Sequence, residues 1–163
     1  MQATFRSVVL FVGDMAASRR FYEGLLGLQV DMDLGVNVGY TCGLALWQAR
    51  AALEVIHHHA PDDDTPLGRG NLEVYFEVDD LDAAGRAVEA AGVPVVHPIV
   101  EQPWAQRVLR VHDPDGHIVE IAEPMHVVVG RLASEGLDAE GIRGRTYMPI
   151  EVIEHLLAGG EPR

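Results

Sequence analysis

Residues 5–12 are apolar and largely β-branched, Asp14 follows as a helix N-cap, and 15–26 carries apolar positions at helical spacing until Gly27. A strand over 28–34 comes next. Leu44-Ala45-Leu46-Trp47 and Ala52-Leu53-Glu54-Val55-Ile56 then form two short runs joined by a polar turn, which read as a hairpin. The same order returns later. Leu72-Glu73-Val74-Tyr75-Phe76-Glu77-Val78 alternates strictly, Asp80 and Asp82 offer caps, 83–91 is Ala-rich, and Gly92 stops the helix. Residues 93–100, 106–112 and 117–122 read as three further strands. Val12 corresponds to Val78 at an offset of 66, and Gly27-Leu28 to Gly92-Val93 at 65. A β-α-β-β-β unit is therefore used twice, which predicts an α+β fold.

The predicted organisation is a first module over 1–57, a connector over 58–70, a second module over 71–124 and a helical tail over 125–163. The connector begins beside His57-His58-His59 and contains Asp62-Asp63-Asp64. Helical segments fall near 126–135, 138–145 and 149–157 in the tail, with a spacing like that of a helix-turn-helix. From Met125 onward, however, four Arg face six acids, a net of −2. Packing against the modules or across a dimer is the expected role of the tail, rather than DNA reading.

Charge narrows the function. Twelve Lys and Arg stand against 25 Asp and Glu, a net of −13, and such a surface repels phosphate backbones and anionic lipid. The expected partners are a small-molecule ligand and a second copy of the chain, a homodimer, with neither nucleic acid nor membrane. No apolar run approaches the ~18 residues of a membrane span. A single cysteine, Cys42, fits a reducing compartment, and the cytoplasm is the expected location.

Val12-Gly13-Asp14 leading to Phe21-Tyr22 and Leu26-Gly27-Leu28, together with Asp113-Pro114-Asp115-Gly116-His117-Ile118-Val119-Glu120, resembles the vicinal oxygen chelate superfamily of glyoxalases, bleomycin-resistance proteins and extradiol dioxygenases. The likeness spans roughly residues 4–124. It implies that the two tandem repeats form a curved half-barrel cleft holding the ligand. It also implies metal ligands on the first strand and a later strand of each repeat, which here are Ser7 and Glu73, and Glu54 and Glu120. No His stands at any of these positions.

Strand alternation fills in the chemistry. Leu72, Val74, Phe76 and Val78 share an apolar face, so Glu73, Tyr75 and Glu77 face the cleft. By the same count Glu120 and Glu54 face it too, and Arg110 and His112 oppose Leu109 and Val111. Two carboxylates about 5 Å apart at an effective dielectric near 20 repel by about 3 kcal/mol. A divalent metal (Mg, Mn, Zn or Ni), a shared proton or an Arg would balance them, unless a wide, wet cleft keeps them apart. Glu54, Glu73 and Glu120 are the candidate metal ligands, and Glu73 and Glu120 the candidate catalytic pair. Arg110, Tyr75 and Trp104 are the candidate substrate contacts, Arg110 as an anion clamp or an internal ion pair. Adjacent residues on an extended chain point in alternate directions, so His57-His58-His59 is not expected to converge on a metal. His117 reads as a turn residue. Two functions remain open: a glyoxalase-type lyase or isomerase acting on an anionic or oxygen-rich substrate, and a metal-free, bleomycin-resistance-like binding protein.

Overall fold

The computed structural model describes residues 3–59 and 66–160, so the Asp62-Asp63-Asp64 run lies outside the described residues. The chain packs as two compact units, Met1–Leu72 with His112–Ile118, and Glu73–Val111 with Val119–Arg163.

In the first unit, β1 (Val8–Val12) leads into α1 (Met15–Arg19), which continues as a π-helical turn over Arg20–Leu25. The Asp14 side chain caps α1 by accepting from Ala17 N at 3.0 Å. Strands β2 (Val30–Asp33), β3 (Asn37–Tyr40) and β4 (Leu44–Gln48) follow, then α2 (Ala49–His57). The sheet order is β1-β4-β3-β2, with β1 parallel to β4 and the other pairs antiparallel. Pairing puts Leu10 beside Leu46 and Phe11 beside Trp47. Leu10, Val12, Val38, Tyr40 and Leu46 are buried on one face, and Phe11 and Trp47 meet edge to face on the other.

Here the hairpin expected from 44–47 and 52–56 is corrected. Residues 52–56 lie in α2, and the strand hairpins are instead β2–β3 and β3–β4. Ala49-Arg50-Ala51-Ala52-Leu53-Glu54 is a run of strong helix formers, and burial of Ala49 and Ala52 one turn apart anchors it. That anchoring outweighs the β-branched Val55-Ile56 pair. Strand β3 carries Gly39 and is bounded by Gly35 and Gly43, both at positive φ, which serve here as hairpin turns.

The second unit contains β5 (Glu73–Glu77), α3 (Leu81–Ala90), β6 (Val95–Glu101), β7 (Arg107–His112) and β8 (Ile118–Ala122), in sheet order β5-β8-β7-β6. Of the two acids offered as caps, Asp80 serves, accepting from Ala83 N at 2.8 Å. The tail forms α4 (Met125–Ser134), α5 (Ala139–Thr146) and α6 (Ile150–Leu157). Val128, Val129, Leu132, Ile142 and Ile153 bury their side chains together with Ala105, which stands just before β7. The tail thus shares a core with the second sheet's unit.

Candidate functional site

Alternation along β5 exposes Glu73, Tyr75 and Glu77 on one side of the sheet, as the residue count requires. Beside β5, β8 carries Glu120, which is 4% exposed, and the next strand, β7, carries Arg110. The Arg110 guanidinium joins them. Its Nε donates to a Glu73 carboxylate oxygen at 2.6 Å and another nitrogen pairs with Glu120. A third contact, 3.2 Å long, reaches Nε2 of His97, the residue opposite Arg110 on β6. The guanidinium can only donate, so that nitrogen is the acceptor, leaving the ring N–H for the Pro98 carbonyl 2.8 Å from Nδ1. Arg110 thus forms an internal ion pair with two glutamates.

A second polar chain crosses the same unit. The Trp104 indole donates to the Gln106 side chain at 2.8 Å, Gln106 donates to the Tyr75 hydroxyl at 2.9 Å, and Tyr75 donates to Glu77 at 2.8 Å. Partial burial, then the bond to Glu77, pushes the Tyr75 phenol up to about 12, so it remains a donor at neutral pH. Trp104 and Tyr75 nevertheless expose 37% and 47% of their surface, enough to meet a ligand. Glu123, which residue reading did not single out, is buried at 3% and takes Arg107 and Arg131 at 3.2 Å each. Its signal in sequence was only its place at the end of a strand, directly before Pro124.

Glu54 belongs to the first unit. It is exposed on α2, not on a sheet face, because its segment is helical. Ser7, the first-strand position of repeat one, is also exposed. Strand β4, Leu44-Ala45-Leu46-Trp47-Gln48, carries neither carboxylate nor imidazole. Among the described residues no group of three or more His, Cys, Asp or Glu side chains is placed to hold a metal ion. The rings of His57 and His59 stack at 5.7 Å.

His117 does more than close a turn. Asp113, 2% exposed, accepts from the Tyr22 hydroxyl at 2.9 Å and meets His117 Nδ1 at 3.0 Å, while backbone N–H groups of Asp115 and His117 bond its other oxygen. Asp115 in turn accepts from Gly13 N and the Ser18 hydroxyl. The Asp-Pro-Asp-Gly-His segment is thereby fastened to the start of α1 and to the π-helical turn.

Residues 5–126 match the model of the glyoxalase-like domain family. The chain belongs to that family. Among solved structures, this glyoxalase-like protein is 36% identical to a protein of unknown function from Agrobacterium tumefaciens C58, with a TM-score of 0.70, over 76% of this chain and 96% of that one. It is 27% identical to a glyoxalase-related enzyme from Fulvimarina pelagi (TM-score 0.61, covering 77% and 90%). A lactoylglutathione lyase from Agrobacterium tumefaciens is 25% identical (TM-score 0.54, covering 75% and 94%). No curated protein matches. The fold and the vicinal oxygen chelate assignment hold, and residues 127–163 extend beyond the family match.

Many members of this family bind divalent metals, but the donors present do not suit one. The two acids on the second sheet already share the Arg110 guanidinium, and β4 of the first repeat carries neither carboxylate nor imidazole. A cation at Glu73 and Glu120 would stand against a fixed positive charge.

Proposed function

We propose that this glyoxalase-like protein is a metal-independent small-molecule-binding protein of the bleomycin-resistance type, with a ligand that carries a cationic group beside a planar apolar one. The observation that carries this reading is Arg110 held between Glu73 and Glu120, which fills with a guanidinium the place a metal would need. It also reverses the expected ligand charge. Glu73 and Glu120 hold the Arg110 guanidinium and Glu77 lies on the same side of β5 as Glu73, so negative charge is in excess on this face, and Arg110 has no free fork for a substrate carboxylate. Trp104 and Tyr75 supply aromatic surface for an apolar group or a cation over the ring. The same reading keeps the protein cytoplasmic and homodimeric, without nucleic-acid or membrane partners. No helix among the described residues is long and apolar enough to cross a membrane.

A second reading, a metal-dependent lyase, draws on the 25% identity to the lactoylglutathione lyase and requires Arg110 to give way. Metal analysis of untagged protein, with thermal-shift titration of Mg²⁺, Mn²⁺, Zn²⁺ and Ni²⁺, separates the two. Phenethylamine and 3-phenylpropionate then test the sign of the ligand. Proposed binding predicts no metal response and an affinity for the amine in the about millimolar range, with the acid weaker. A metal that copurifies and raises the melting temperature overturns it.

A further inference from the structure

The tail outside the family match grips the loop that carries Trp104. Ala105 sits at φ +64, a left-handed conformation that a non-glycine residue adopts only at some cost, and its side chain is completely buried among Val128, Val129, Leu132, Ile142 and Ile153. Arg131 of α4 donates to the Ala105 carbonyl at 2.6 Å and pairs with Glu123 and with Glu101 at the end of β6. Arg145 of α5 pairs with Glu101 at 2.7 Å. The loop closes on itself through Ala105 N to Gln102 O and Gln102 N to Gln106 O, both 2.8 Å. Trp104 and Gln106, the residues on either side of Ala105, head the hydrogen-bond chain to Tyr75 and Glu77.

We infer that α4 and α5 act as a clasp that positions Trp104 and Gln106, so that ligand affinity on the β5-β8-β7-β6 face is set by the tail, with Arg131 and Glu101 as positioning residues. Without the clasp only the loop's own Ala105–Gln102 and Gln102–Gln106 bonds hold Ala105 in its left-handed conformation, and the apolar packing and the bond to its carbonyl are lost. The loop then relaxes, the indole turns away, and Gln106 no longer orders Tyr75. The ligand half of this inference rests on the proposed binding function, whereas the positioning half does not.

The test uses the full chain carrying Trp47→Phe, which leaves Trp104 as the one indole. Arg131→Gln, Arg131→Lys and Glu101→Gln are compared for acrylamide quenching of Trp104, hydrogen exchange over 102–106 and phenethylamine affinity. Glu101 is half exposed, so its variant keeps the fold even where Arg131→Gln does not. The clasp predicts about twofold stronger quenching, faster exchange confined to the loop, and about fivefold weaker amine binding, the loss of one hydrogen bond's worth of positioning. Arg131→Lys should restore part of the Glu123 pairing and so lie between parent and Arg131→Gln. Parental quenching and exchange in both Arg131→Gln and Glu101→Gln overturn the clasp. A loosened loop with unchanged amine affinity overturns its link to the ligand. If phenethylamine binds not even the parent, the ligand reading fails while quenching and exchange still decide the clasp.

Discussion

Arg110 Nε lies 2.6 Å from a carboxylate oxygen of Glu73, and the same guanidinium covers the buried Glu120. Removing it leaves Glu120 without a counter-charge, a loss of about 3 kcal/mol for a broken buried pair. Arg110→Met should therefore melt well below the parent at neutral pH. On the metal-independent reading it should also gain a rise in melting temperature with Mn²⁺ or Ni²⁺ that the parent does not show, as the two glutamates become available. Differential scanning fluorimetry with and without metal checks both, and a metal shift equal in parent and variant rules out Arg110 as the occupant of that place.

The Asp113–His117 pair gives stability a pH signature. Its hydrogen bond to Asp113, opposed by burial, holds the His117 imidazole above its ordinary 6.5. Burial works to raise Asp113, but His117, backbone N–H groups and Tyr22 outweigh it and keep the carboxyl below its ordinary 3.8. A raised histidine contributes fully below pH 6.5 and loses its contribution as pH climbs through the folded value; a depressed carboxylate contributes above 3.8 and loses it as pH falls. The pair is therefore strongest between those limits. Melting temperature should drop from pH 6 to pH 9 in the parent and drop less in His117→Gln, which keeps Asp115, itself raised by burial. Parallel curves for the two proteins would contradict the pairing.

Glu54, exposed on α2, should tolerate change. Glu54→Ala is expected to stay within about 0.5 kcal/mol of the parent and to leave the response to divalent metals untouched. Chemical denaturation and metal titration of parent and variant measure this, and a metal response present in the parent but absent from the variant would overturn both the metal-independent reading and the expected tolerance at Glu54.

The fate of Glu54 shows where residue patterns stop being readable. Period-two alternation identified the face of Glu73, Tyr75, Arg110 and Glu120, because a strand allows only two directions for a side chain. It did not identify neighbours. That Arg110 reaches both glutamates depends on the order β5-β8-β7, a pairing between segments separated in sequence. Alternation also misled at 52–56, where five residues are too few to separate a strand from an amphipathic helix and burial of Ala49 and Ala52 decides. Ala105 was silent for a different reason. Its importance comes from the tail packed on it and from a backbone angle, neither of which alanine announces.

Gly68 supplies a last expectation, within the first unit. Its N–H donates to the Asp115 carbonyl at 3.0 Å, and its Cα lies so close to Gly116 that a Cβ there would overlap the Gly116 carbonyl carbon and oxygen. The obstacle is backbone, which has no rotamer to yield, and it belongs to the segment that Asp113 and Asp115 fasten to Tyr22, Ser18 and Gly13. Gly68→Ala must therefore push the turn away or break the Gly68–Asp115 bond, at a cost of about 1–3 kcal/mol. Gly70, with nothing near its Cβ direction but φ +66, provides a contrast: Gly70→Asn suits a left-handed backbone and should cost little. Urea denaturation of the two variants side by side measures the difference. A Gly68→Ala protein as stable as Gly70→Asn would show that the 66–70 segment does not hold the Asp-Pro-Asp-Gly-His turn.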